Sequence, residues 1–149
     1  MAIRYVHTNL IAQDWRALAS FYIRILGCKP VPPERDLFGD WLDSATGLEN
    51  SHLTGVHLRL PGHGDTGPTL EIFSYDTLAS RPVIALNTPG LGHIAFLVDD
   101  VPGLAAAVLA AGGSAVGELV SRDVPDLGRL TFQYLRDPEG NIIEIQSWN

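Results

Sequence analysis

The apolar positions of the chain change period several times, and each change marks an element. "IRYVHTNL" alternates roughly as a β-strand. In "DWRALASFYIRILG", Trp15, Leu18, Tyr22, Ile25 and Leu26 fall at offsets 0, 3, 7, 10 and 11, which is one stripe of a helix. Asp14 is placed as its N-cap and Gly27 as the residue that ends it. Residues 32–54 follow neither period and read as irregular, a short strand plus a covering loop with Trp41 and Leu42 as apolar anchor. "GVHLRL" and "PTLEIFSY" predict two strands joined by the turn "PGHGDTG", and residues 76–89, which contain Pro82 and Pro89, read as a linker.

The pattern then restarts. "GHIAFLVDD" reads as a buried strand and "DVPGLAAAVLAAGG" as a helix, with Asp100 as N-cap, Pro102 in the first turn and Gly112–Gly113 at the end. "AVGELVSRDV", "RLTFQYLRDP" and "NIIEIQSW" predict three further strands, the last preceded by the turn "DPEGN". Counting residues tests whether this is a repeat. His7 to Asp14 and His93 to Asp100 are both 7 residues, His7 to Leu18 and His93 to Leu104 both 11, and His7 to Gly27 and His93 to Gly113 both 20. The fold class expected is α+β: a single chain of two tandem βαβββ modules, module 1 at about 1–75, a linker at about 76–89 and module 2 at about 90–149.

The repeat puts a histidine in the first strand of each half, His7 and His93, and a glutamate in the last, Glu71 within "LEI" and Glu144 within "IEI". Strand side chains alternate between faces. If Leu70, Ile72, Ile143 and Ile145 pack under the helices, both carboxylates point to the opposite face, where His7 and His93 can join them. A histidine inside an apolar strand needs partners for its ring nitrogens, and two buried carboxylates side by side would repel. A divalent transition metal answers both demands, so His7, Glu71, His93 and Glu144 are the candidate ligands; imidazole suits Zn, Ni, Co and Fe, and carboxylate the harder end of that series. His57, opposite Val56 and Leu58, either lines that face or meets solvent. His52 and His63 read as solvated loop residues, and Asp99–Asp100 as capping acids.

Composition narrows the function. Apolar residues make up 46% of the 149, and the net charge is −7 with only ten Lys and Arg, which disfavours nucleic acid or an anionic membrane as partner. The single cysteine, Cys28, excludes an intrachain disulfide and a Cys-rich zinc site. "MAIRYVH" enters a strand pattern at once, and "LAAAVLAA" is too short to span a bilayer, so a cytoplasmic protein is expected.

"FYIRILG", "GHIAFLVDD" and "RDPEGNIIEIQSW" resemble the vicinal oxygen chelate superfamily, which includes glyoxalase I, methylmalonyl-CoA epimerase, extradiol dioxygenases, fosfomycin-resistance enzymes and bleomycin-binding proteins. The resemblance implies two βαβββ modules whose mixed sheet curls around a metal, often in a homodimer. Carried over position by position, it gives His7, Glu71, His93 and Glu144 as ligands of a divalent ion (Ni, Zn, Co, Mn or Fe). Extradiol dioxygenases and fosfomycin enzymes use a triad matching His7, His93 and Glu144, so Glu71 makes the set resemble that of glyoxalase I. The function implied is a metal-dependent lyase or isomerase, moving a proton next to a carbonyl through an enediolate on the metal. Glu144 is the favoured base and Glu71 the second, acting on a small molecule with adjacent oxygens. The alternatives are an Fe(II) ring-cleaving dioxygenase and a small-molecule (antibiotic-type) binding protein of the same fold. The segment "TGLENSHLTG" departs from glyoxalase I, and "DPEGN" departs from the epimerases.

Overall fold

The helical stripe beginning at Trp15 is buried in the structure, a computed structural model that describes residues 2–149. Helix α1 (Trp15–Leu26) is capped by Asp14, whose Oδ1 accepts from Ala17 N at 3.0 Å, and ends at Gly27 with φ 71°. A side chain would strain that left-handed backbone, which is why glycine stands there. Trp15, Leu18, Ala19, Phe21, Tyr22 and Leu26 are its buried face.

The chain divides into two units, Met1–Ser80 and Arg81–Asn149. The first holds β1 (His7–Ile11), α1, β2 (Lys29–Phe38), α2 (Asp40–Thr46), β3 (His52–Arg59) and β4 (Thr69–Tyr75). Its mixed sheet runs β1-β4-β3-β2, with β1 parallel to β4 and the other pairs antiparallel. α1 lies against β3 and β4, over Leu10, Val56, Leu58, Leu70 and Ile72, all buried. The second unit holds β5 (Ile94–Leu97), α3 (Val101–Ala110), β6 (Ser114–Ala115), β7 (Val120–Val124), β8 (Gly128–Arg136) and β9 (Ile142–Trp148). Its sheet runs β5-β9-β8-β6, β7 also pairs with β8, and β5 is parallel to β9. α3, capped by Asp100 Oδ1 on Gly103 N at 2.9 Å, packs on β8 and β9 over Leu135, Ile143 and Ile145. The tandem βαβββ modules are thus present as two mixed sheets. Leu70 is wholly buried, so Leu70→Ala should cost about 2–5 kcal/mol in urea unfolding, the transfer loss plus an unfilled cavity.

Several local expectations fail. Residues 32–54 are largely regular: β2 is ten residues long, and α2 follows it. Pro30, Pro32 and Pro33 obscured the alternation, but β2 is an edge strand with a bulge between Val31 and Arg35, where proline costs little pairing. α2 spans seven residues, too few to show a period. Its anchor is Leu42, packed with Leu53 and Phe73; Trp41 is 58% exposed. "AVGELVSRDV" is broken into β6 and β7. β5 is shorter than expected, with His93 just before it and Leu91 and Leu97 exposed. After α3 the positive-φ glycine is Gly112, not Gly113, one place off the repeat. Cys28 is buried, and burial pushes its thiol up to about 11, so it is a packed residue rather than a nucleophile.

Candidate functional site

Strand pairing reproduces the repeat at the level of single residues. In the first unit Asn9 stands opposite Glu71; in the second Ala95 stands opposite Glu144. In both, the residue two places earlier is the histidine, His7 or His93. Leu70, Ile72, Ile143 and Ile145 are fully buried, so each glutamate is on its own sheet's face away from the helix.

In the first unit His7 Nε2 lies 3.3 Å from Glu71 Oε2, which also accepts from Asn9 Nδ2 at 3.2 Å. The other oxygen, Oε1, is 2.9 Å from Nε2 of His57, whose strand position faces Glu71 directly. Burial pushes the His57 imidazole below its ordinary range; Glu71 opposes this, and Arg35, His7 and Arg59 reinforce it. A neutral His57 donates from Nε2 to Glu71 and leaves Nδ1 to accept from the Thr69 hydroxyl at 3.4 Å. Its ring also meets Phe73 edge-on, with centroids 5.8 Å apart. That ring needs Gly55: a Cβ there would stand 2.4 Å from Phe73 Cδ1 and 2.2 Å from Ile72 O. Gly55→Ala should therefore destabilise the unit by about 1–3 kcal/mol in urea unfolding and shift the His57 ring resonances in NMR spectra.

In the second unit His93 Nε2 lies 3.0 Å from Glu144 Oε2. Tyr134 stands opposite Glu144 and hydrogen-bonds to its carboxylate; burial first, then the Glu144 charge and that bond, raises the phenol above its ordinary range. His57 and Tyr134 are therefore equivalent positions, each the antiparallel neighbour of a glutamate. The turn that sets the second register is tightly bonded. Asp137 Oδ1 accepts from Glu139 N at 2.9 Å and Asn141 N at 3.0 Å, and Oδ2 from Asn141 Nδ2 at 2.7 Å. Both glutamates are largely enclosed, 12% and 13% exposed, while His7 and His93 are reachable at 41% and 32%.

The structure thus brings His7 to Glu71 and His93 to Glu144. Among the described residues, neither unit gathers three or more His, Cys, Asp or Glu side chains as a ready-made cation site. The donor chemistry and spacing of each pair nonetheless fit two ligands of one metal. Bonds of about 2.0–2.2 Å at angles between octahedral and tetrahedral separate ligand atoms by roughly 2.8–3.6 Å. His57, Asn9 and Tyr134 are the residues the sequence reading missed as partners of the glutamates. His52, read as a loop residue, is in β3 instead, bonded to Asp36 at 2.6 Å and Asp76 at 2.8 Å, and those carboxylates raise its pKa. Among the described residues, no helix is long and apolar enough to cross a membrane.

Residues 4–145 match the family model of the Glyoxalase/Bleomycin resistance protein/Dioxygenase superfamily. Among solved structures, a glyoxalase family protein from Bacillus cereus superposes with a TM-score of 0.84 at 19% identity, covering 99% of this chain and 95% of its own. The trypanothione-dependent glyoxalase I of Leishmania major gives 0.63 at 23% identity, with 98% and 87% covered. A fosfomycin resistance protein from Listeria monocytogenes gives 0.59 at 17% identity, with 100% and 96% covered. At such identities the likeness speaks for the fold. Among curated proteins, none matches the sequence at a significant level.

Proposed function

The chain belongs to the glyoxalase/bleomycin resistance protein/dioxygenase superfamily, and from that premise we propose that it is a metal-dependent lyase or isomerase of the glyoxalase type. The observation that carries this reading is the duplicated pair: an imidazole within 3.3 Å of a largely enclosed carboxylate, at the same strand register in each module. His7, Glu71, His93 and Glu144 would hold one divalent ion. When bound, that ion supplies Lewis-acid stabilisation of negative charge developing on adjacent substrate oxygens.

The remaining steps belong to the chain. Glu144 takes the proton from the carbon next to the carbonyl and returns it to the neighbouring position. Tyr134, bonded to Glu144, fixes the carboxylate's orientation during that transfer. Glu71 is held on both oxygens, by His57 on Oε1 and by His7 and Asn9 on Oε2, so it is the less free of the two and serves as ligand. The substrate is a small molecule with adjacent oxygens, and the working form is a homodimer.

Elemental analysis of the full chain purified without chelator tests the reading. One divalent ion per chain is expected, removable by chelator and restored by Ni, Co, Mn, Zn or Fe(II). A chain that holds none of these ions at stoichiometry sinks it.

A further inference from the structure

The face of the first sheet that carries Glu71 is graded along its strands. The row through Glu71 contains Asn9, His57 and Val31. One row toward Leu53 come Ile11, Phe73, Gly55 and Arg35, the last bonded to the carbonyl of Pro33, and the next is Tyr75, Leu53 and Leu37, closed over by Leu42 of α2. One row the other way come His7, Thr69, Arg59 and Lys29. Rows on one face are two residues apart, about 7 Å. The face is thus apolar and covered at one end and cationic at the other.

The cationic end is unbalanced within the fold. Lys29 and Arg59 stand directly opposite one another on β2 and β3, an arrangement of like charges that destabilises a sheet. Neither has a carboxylate partner: among the described residues the ion-paired arginines are Arg16 with Glu34 and Arg129 with Asp123. Arg59 donates only to the carbonyl of Gly67. Beside the two cations is a cavity of about 250 Å³, lined also by Gly27, Gly62, Gly64 and Asp65. Asp65 is exposed and bridges to neither cation. Arg59 and Lys29 lie two residues along their strands from His57 and Val31, so they share the face of the carboxylate row. In a chain of net charge −7, a local cation pair of this kind is what draws an anion in.

We infer that Lys29 and Arg59 form an oxyanion subsite and that the substrate of the proposed reaction carries a carboxylate- or phosphate-class group. That group lies about one row, roughly 7 Å, from the oxygens held at Glu71. The placement relative to Glu71 rests on the metal reading above; the subsite itself does not. Phe73 and α2 close the other end of the face and exclude substrate from it.

The test titrates the ¹⁵N-labelled full chain with inorganic phosphate and, separately, with acetate, at ionic strength held constant with chloride. Saturable shifts are expected at the Arg59 side-chain Nε–H and at the amides of Gly62 and Gly64. Affinity should fall at least tenfold in Lys29→Gln and in Arg59→Gln, and stay at the parent value in Arg122→Gln, which removes the same charge from β7. Saturation by phosphate alone supports a phosphate-class substrate, by acetate alone a carboxylate, and by both a general oxyanion subsite. No saturable shift with either probe, or unchanged affinity in both variants, overturns the inference. Lys29 is exposed, so Lys29→Gln remains a fair test even if Arg59→Gln fails to fold. Metal content measured on the same samples separates the two readings. A parent chain that keeps its metal but binds neither probe fails the subsite alone, and a metal-free parent chain that binds them fails the proposed reaction alone.

Discussion

Glu144→Gln should lower kcat by about 10²–10⁴-fold, the usual contribution of a well-placed general base, while KM and unfolding midpoint change little. That loss corresponds to about 3–5 kcal/mol of barrier. The amide matches the carboxylate in shape but lacks its basicity and its charge on the proposed ion, so the variant is assayed with metal held at saturation and its metal content measured beside kcat. Glu144 is 13% exposed, which leaves one edge open to substrate while the rest is enclosed. The readout is incorporation of solvent deuterium next to the carbonyl across a panel of small α-dicarbonyl and α-hydroxycarbonyl compounds, followed by NMR. Tyr134→Phe tests the positioning role separately. It keeps the ring but frees the carboxylate, so kcat should fall more modestly, with KM held. Parent-level exchange in Glu144→Gln would remove the base assignment and transfer it to Glu71.

The fold was legible because the first helix carries one apolar stripe, the second is an apolar run bounded by Asp100 and Gly112, and each module's last strand is buried on one face. Leu70 and Ile72 flank Glu71, and Ile143 and Ile145 flank Glu144, so alternation alone sent both carboxylates away from the helices. The repeat placed the histidines. What alternation cannot supply is register between strands, and the missed partners depend on it. Tyr134 follows from the tight turn: Asp137 N donates to Asn141 O at 2.9 Å, and counting three residues back on each strand pairs 134 with 144. His57 lies as far from its own closing pair, where Leu60 N donates to Pro68 O at 3.1 Å, but the longer, glycine-rich loop there leaves the register open. α2 was hidden for another reason. Its stability is tertiary: Leu42 against Leu53 and Phe73, and the Asp43 carboxylate accepting from Asn50 N and Ser51 N, both at 2.8 Å. None of that has a period.

Glu71→Ala should abolish tight metal retention. Substitutions that only disturb the partners of a metal ligand already cost about 10–100-fold in affinity, so loss of the ligand itself should exceed about 100-fold. Two effects combine. The substitution removes one donor and one negative charge, and it frees His7 and His57, whose ring centroids are 6.0 Å apart, from the carboxylate between them. Without that carboxylate nothing offsets the burial that holds the His57 imidazole below its ordinary range, so the variant should also lose stability as the pH falls through that range. His57→Gln provides the contrast. It loses the contact to Oε1 but leaves His7 and Oε2 in place, so its affinity should fall only about 10-fold. Competition against a fluorescent chelator, with Ni and Co in separate titrations, measures all three proteins on one scale. A His57 variant as impaired as Glu71→Ala would make His57 a ligand in its own right. Stoichiometric, tight metal in Glu71→Ala would mean that His7, His93 and Glu144 suffice. With Glu71 out of the ligand set, the chemistry would move toward that of the dioxygenases and transferases, because a three-ligand ion keeps one more position open to substrate.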